Sequence, residues 1–187
     1  MRAKPLAALF AILCLAAATP DASAPIVSLE KALRSAPAKP DAARRKAVRA
    51  AVARAFDLDA VSRSVLGEEA ARATPTQRAR VSELILQRLS ERVGRERIGA
   101  DATLRVLRSR DVGLGETMIT TEARRGQDNP VTVVWRVRQE AGGPKVVDVL
   151  REGISLSLKA RRELAAAMRG HTLDQALAAM ERAPAAE

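Results

Sequence analysis

The stretch KVVDVLREGISLSLKARREL, residues 145–164, decides how the second half of the chain folds. Its first seven residues are rich in Val, which predicts a β-strand. After Gly153 the apolar spacing becomes helical and stays so to Met168. Asp148 and Glu152 stand between the two patterns, four residues apart, with Arg residues nearby. The stretch therefore contains either an acid–base pair or a carboxylate that joins a strand to a helix.

The geometry of an extended chain favours the joining role. Residues four apart in a strand lie about 13 Å apart, which is too far for two carboxyl groups to share a proton. Arg151, Arg161 and Arg162 are close enough in sequence to pair with either acid. We predict that Asp148 is structural and holds the corner through charge-assisted hydrogen bonds.

Three more segments upstream predict strands. They are TLRVLRSR (103–110), ETMITTEAR (116–124) and PVTVVWRVRQ (130–139), and turn residues separate them from one another and from residue 145. Short β-branched segments with this spacing predict an antiparallel meander of four strands. In the third strand, Val131, Val133, Trp135 and Val137 alternate with more polar residues. One face of the sheet is therefore expected to be apolar and the other largely solvated.

Helical patterns flank the meander on both sides. Asp41 and Asp57 can each begin a helix, and Thr74-Pro75-Thr76-Gln77 has the capping-box spacing before a long apolar stripe that includes Leu84, Ile85 and Leu89. Thr172 and Gln175 repeat the capping box before a final helix. The predicted fold is α+β: N-terminal helices, a four-stranded antiparallel meander and C-terminal helices, with an apolar cavity between the helices and the sheet.

The N-terminus has the pattern of an export signal. Arg2 and Lys4 precede an uncharged apolar run from Leu6 to Ala18, and small residues follow. We expect a signal peptide over residues 1–24, with cleavage after Ala24 or after Ala18, and hence a periplasmic protein; an uncleaved anchor is the alternative. Residues 25–40 are expected to form a leader of one or two helical turns and a linker, residues 41–182 a single domain, and residues 183–187 a tail.

Composition argues against several classes of function. The net charge is +10, but aromatic residues make up only 2% of the chain, so the side chains that stack nucleic-acid bases are scarce. We expect no nucleic-acid partner; anionic membrane surfaces or acidic proteins suit the charge better, and the alternative is an Arg-rich solvated surface.

The usual catalytic residues are scarce too. Cys14, the single Cys, lies in the signal segment, and His171 is the single His. A transition-metal site is therefore not expected, and no glycine-rich phosphate loop precedes a helix. We predict no cofactor and no enzymatic activity; the alternative is a small periplasmic enzyme that uses Asp148 or His171 as a base.

The same stretch carries a family resemblance. Val146-Val147-Asp148-Val149, then Glu152 to Leu156, then Arg161, resemble the C-terminal signature of the MlaC, or toluene-tolerance Ttg2D, family of periplasmic phospholipid-binding proteins. Upstream, Phe56-Asp57, Leu66-Gly67 and Ala73-Thr74-Pro75 resemble that family's "FD…LG…ATP" block. Where the family usually has Trp, Trp, Tyr and Phe, this chain has Ala70, Pro144, Ala160 and Leu164.

The resemblance implies a carrier that moves phospholipid between the two membranes. Its partners would be an inner-membrane ABC transporter with its MCE complex and an outer-membrane lipoprotein complex, and the carrier is expected to be a monomer. The alternatives are a hopanoid-associated lipid-binding protein or a small non-enzymatic adaptor. Asp148, Gly153 and Arg161 are expected to be structural. The residues expected to line the lipid site are Val131, Val133, Trp135, Val137, Leu84, Ile85, Leu89, Val147, Val149 and Ile154.

Overall fold

Helices, a sheet and further helices follow one another along the chain. The computed structural model describes residues 21–36, 42–95 and 102–183. The helices within these ranges are α1 (Ala24–Arg34), α2 (Ala42–Ala55), α3 (Leu58–Leu66), α4 (Pro75–Arg95), α5 (Leu156–Ala167) and α6 (Leu173–Arg182), with a 3₁₀ helix at Gly67–Ala71. The strands are β1 (Ala102–Gly113), β2 (Glu116–Arg125), β3 (Val131–Glu140), β4 (Gly143–Arg151) and β5 (Ile154–Ser155). The predicted α+β layout is confirmed.

Three of the four predicted helix starts are present as hydrogen-bonded caps, and the fourth, Asp41, lies outside the described residues. The Asp57 carboxylate accepts from the Ala60 amide at 2.9 Å and begins α3. Before α4, the Gln77 amide donates to the Thr74 hydroxyl and the Thr74 amide donates to the Gln77 side chain. Thr172 and Gln175 form the same reciprocal box before α6. Side-chain oxygens thus satisfy amides that a helix start leaves without a backbone partner.

The sheet has five antiparallel strands in the order β1-β2-β3-β4-β5, one more than predicted. The extra strand pairs Arg151 with Ile154 across a two-residue turn. Both turn residues, Glu152 and Gly153, have positive φ, 53° and 78°, as a tight hairpin with the natural strand twist requires. A two-residue strand is too short to leave an alternating pattern, which is why the sequence did not reveal it.

Helices cover one face of this sheet. Ile119, Val137 and Val146, from three neighbouring strands, are at most 1% exposed. The junction of α2 and α3 is tied to β4, because the Asp57 amide donates to the Val146 carbonyl at 2.9 Å. This hydrogen bond therefore fixes the position of α2 and α3 relative to β4.

The first helix is longer and more deeply packed than the one or two turns expected of a leader. Ile26, Leu29 and Leu33 of α1 are buried and belong to the main core cluster. The packed domain therefore includes α1. Residues 1–20 of the expected signal peptide, residues 37–40 of the expected linker, Asp41 and residues 184–187 of the expected tail lie outside the described residues. None of the helices in the described ranges is both long and apolar enough to cross a membrane.

Candidate functional site

A cavity of about 90 Å³ lies among α3, α4, α5 and β4. At roughly 10–15 Å³ for each water-sized group, the cavity has room for about six to nine of them. Eight apolar residues form most of its wall: Phe56, Val61, Val65, Ile85, Leu89, Val149, Leu156 and Ala160. This is an apolar space suited to hydrocarbon.

Polar side chains contact the same cavity. They are Arg88, Arg92, Asp148, Ser157, Lys159 and Glu163. Three are cations, and α4 and α5 carry all three. The lining thus combines an apolar wall with an excess of positive charge.

Asp148 is held by three donors around the corner between β4 and α5. The Ser155 hydroxyl donates to its carboxylate at 2.6 Å, the Val149 amide at 2.9 Å and the Ser157 amide at 3.2 Å. Asp148 is itself 5% exposed. The partners are hydroxyl and amide groups rather than the Arg side chains that the sequence suggested. Three hydrogen bonds thus fix the position of the carboxylate at the junction of β4 and α5.

Ser155 also begins α5. Its hydroxyl accepts from the Leu158 amide at 3.1 Å while it donates to Asp148. One side chain thus caps the helix and ties it to the strand. Through this link, the position of the α5 side of the cavity depends on Asp148.

Arg88 ties three helices together on the α4 side. Its guanidinium donates to the Glu163 carboxylate of α5 at 2.9 Å and to the Met180 carbonyl of α6 at 2.9 Å. The Arg88 side chain is 20% exposed and the Glu163 side chain 32%. The ion pair therefore spans from α4 to α5 beside the apolar wall.

Gly153 and Arg161 also lie at the junctions around this site. Gly153 is the second residue of the tight β4–β5 turn. Arg161 donates from Nε to the Ser64 carbonyl of α3 at 2.6 Å. It lies over Gly67, where an added Cβ would approach Arg161 Nε to 3.2 Å. Gly67 also has φ +60°, so two separate constraints favour glycine there.

The ten residues expected to line a lipid site do not all lie together in the structure. Ile85, Leu89 and Val149 line the cavity. Leu84 and Val137 are buried in the core cluster, with Val133 and Trp135 packed against it. Val131 is half-buried, Val147 is buried in β4, and Ile154 is 57% exposed.

The apolar face of β3 packs partly against the core: Val137 is buried, whereas Val131, Val133 and Trp135 are half-buried. Trp135 lies opposite Ile119 on one side and Val149 on the other, and its indole N–H donates to the Thr121 hydroxyl at 2.9 Å. β3 is a central strand and pairs with β2 and β4. The cavity instead opens beside β4, where α3 and α5 meet the sheet.

Two groups of cavity residues are absent from the sequence-based set. Val61 and Val65 repeat at helical spacing in α3, and Leu156 and Ala160 do so in α5. The sequence shows the helical spacing of these apolar residues. The spacing alone does not distinguish a helix face that lines a cavity from one that packs in the core. Ala160, one of the four positions at which the resemblance leads us to expect a larger aromatic residue, also lines the cavity.

Comparison with known proteins agrees with this fold. The family model for MlaC protein matches residues 26–182. A solved structure described as the phospholipid-binding protein from Ralstonia solanacearum in complex with a phospholipid is similar in fold, with a TM-score of 0.68. That match has 18% sequence identity and covers 86% of this chain and 96% of the Ralstonia chain. No curated protein matches the sequence. The match over most of its length shows that the chain belongs to the MlaC family.

Proposed function

We propose that the protein is a periplasmic phospholipid carrier that holds acyl chains in the cavity among α3, α4, α5 and β4. The observation that carries the proposal is the apolar wall at this position in a member of the MlaC family. The Ralstonia protein of similar fold was solved with a phospholipid, which supports the same class of ligand.

Burial of hydrocarbon supplies the affinity. Each buried CH₂ group contributes about 0.8 kcal/mol, so a chain of even eight such groups gains roughly 6 kcal/mol without covalent chemistry. The cavity has room for about six to nine water-sized groups, fewer than a full-length acyl chain contains. The helices must therefore move apart from β4 as lipid enters.

The basic residues at the cavity suit the phosphate group of a phospholipid. Arg88, Arg92 and Lys159 contact the cavity, and a phosphate diester between acyl chains and solvent would meet this charge. Arg88 already pairs with Glu163, so the lipid phosphate would share or replace that carboxylate. Arginine is well suited to such exchange, because its planar fork binds either anion with two hydrogen bonds.

A carrier role needs no catalytic group. Asp148 has its carboxylate bound by Ser155 and by two amides, an arrangement that stabilises structure. Loading and unloading would take place at an inner-membrane ABC transporter with its MCE complex and at an outer-membrane lipoprotein complex. The signal-like N-terminus and the family support this location and these partners.

The test is to extract the protein, purified without detergent after export, with organic solvent and to identify the extracted lipid by mass spectrometry. We expect phospholipid in the extract and a matching added mass in the native protein. A delipidated sample should take phospholipid from vesicles. A protein that is folded, empty and unable to acquire lipid would instead be an adaptor, and the proposal would be wrong.

A further inference from the structure

The hairpin between β1 and β2 ends in a fully exposed leucine. Leu114 is 100% exposed at the tip, and Val112 beside it is 41% exposed. The tip lies on the outermost pair of the sheet, far along the strand order from the cavity beside β4. The lipid cavity therefore does not account for these side chains.

Folding does not account for Leu114 either. It has φ 56° between Gly113 at 85° and Gly115 at 70°, a left-handed conformation that favours Gly, Asn or Asp. A branched apolar side chain there is strained and gains no burial against the part of the protein that the structure describes. Asparagine would suit the turn better, so the leucine points to a contact outside the chain.

Two arginines on the same hairpin, beside one exposed carboxylate at Asp111, give it a net positive charge. Arg108 lies opposite Thr120 and Arg110 opposite Met118; both are exposed and lie on the sheet face opposite Ile119 and the core. Within the described residues neither forms a salt bridge, whereas Arg105 pairs with Glu122, and Arg136 and Arg138 pair with Glu116. The hairpin thus combines an apolar tip with unpaired cations behind it.

We propose that this hairpin tip contacts the surface of an anionic phospholipid bilayer. Arg110 precedes Leu114 by four residues, about 10–13 Å along a strand. The headgroup layer is roughly 5–8 Å thick on each side of the hydrocarbon, so a tilted hairpin places Leu114 and Val112 at the acyl boundary, Arg110 among the phosphates and Arg108 at the outer edge of the headgroup layer. Apolar insertion together with basic side chains is the usual basis of interfacial binding.

The shape of the tip favours a bilayer over an acidic protein. Leu114 projects from a convex turn, and a protein partner would need a matching pocket to bury it. A fluid interface adapts to a single protruding side chain. The inference goes beyond the proposed carrier function, because a carrier that exchanged lipid only through protein partners would need no bilayer contact.

Vesicle co-sedimentation of the whole exported protein tests the proposal. Vesicles of phosphatidylcholine with about 30% phosphatidylglycerol are compared with pure phosphatidylcholine, at low and at high salt. The variants are Leu114→Asn, which suits the left-handed turn, and the double variant Arg108→Gln/Arg110→Gln. Val27→Gln is the matched control, because Val27 is 49% exposed on α1, away from the hairpin.

We expect the wild-type protein and Val27→Gln to bind the anionic vesicles, and binding to weaken in high salt. Leu114→Asn and the double Arg variant should each bind at least tenfold more weakly, with unchanged thermal midpoints and unchanged content of bound lipid. No binding of the wild-type protein to anionic vesicles, as expected for a protein-docking tip, or undiminished binding of Leu114→Asn, would overturn the proposal. Lipid content reports separately on the carrier function.

Discussion

The hydroxyl of Ser155 donates a 2.6 Å hydrogen bond to the buried carboxylate of Asp148 and so joins the start of α5 to β4. The same hydroxyl caps α5, and the Ser157 amide donates to the same carboxylate. The hydrogen bond between Ser155 and Asp148 therefore determines the position of α5, which forms one wall of the cavity.

Replacing Asp148 with Asn should destabilise the fold. The amide loses the charge that its three donors satisfy, and its NH₂ group cannot accept from Ser155, so we expect a loss of about 1.5–3 kcal/mol in the free energy of unfolding. Urea titration measures it. Asp59→Asn is the control, since Asp59 forms an exposed ion pair with Arg63 of about 0–1 kcal/mol. Equal free energies of unfolding for the two variants would show that the hydrogen bonds to Asp148 stabilise the fold no more than an exposed ion pair does.

Removing the hydroxyl of Thr121 should destabilise the sheet. Thr121 is fully buried and accepts from the indole of Trp135, so Thr121→Val leaves a shielded N–H without an acceptor, at a cost of about 1–3 kcal/mol. Thr120→Val, on the opposite face of the same strand, should change stability much less. Urea midpoints followed by the fluorescence of the single Trp test this; a stable Thr121→Val variant would mean that the indole bond contributes little.

Glu116 should make stability depend on acid pH. Burial raises the pKa of the Glu116 carboxyl, but hydrogen bonds from Arg136 and Arg138, together with their charges, outweigh it, so the pKa lies below its usual 4.5. A lowered folded-state pKa gives stability that is complete above the unfolded value and is lost as pH falls through the folded value. The wild-type protein should have a higher free energy of unfolding than Glu116→Gln at neutral pH. This difference should disappear as the pH falls below 4.5.

Unfolding free energies of both proteins across this range provide the measurement. The Glu116 side chain is 12% exposed, so solvent screens the two ion pairs only partly. A constant difference between the two proteins from neutral to acid pH would show that the clamp by Arg136 and Arg138 does not stabilise the ionised form.

Filling the cavity should abolish lipid binding without unfolding the protein. Ala160 lines the cavity and is half-buried, so the indole of Ala160→Trp would occupy the space intended for an acyl chain. Ala165→Trp, on an exposed position of the same helix, is the control. Phospholipid per protein should fall severalfold in the first variant only; retention of lipid by a folded Ala160→Trp protein would place the ligand elsewhere.

Element order was predictable because local signals agree with the fold. Thr74 with Gln77, and Thr172 with Gln175, marked helix starts that the structure shows as capping boxes. The meander was readable because Gly-rich turns interrupt β-branched runs. β5 was missed because its formation depends on the left-handed backbone at Glu152 and Gly153 and leaves only two paired residues.

The site was only partly predictable, because a cavity depends on how elements meet. The alternation in β3 correctly gave an apolar face, but Val137 is buried in the core while Val149, one strand away, borders the cavity. Both residues are valines in predicted strands. Only the packing of α3 and α5 against β4 brings Val149 to the cavity.

The central claim is that acyl chains occupy the cavity among α3, α4, α5 and β4. The most direct test loads the wild-type protein with a phospholipid that has a diazirine in its acyl chain, activates it with light and maps the labelled residues by peptide mass spectrometry. Excess unlabelled phospholipid serves as the competitor. The account predicts competed labelling of Val65, Leu89 and Leu156, which line the cavity. Labelling confined to Val133 and its neighbours on β3, or to the exposed face of the sheet, would contradict it.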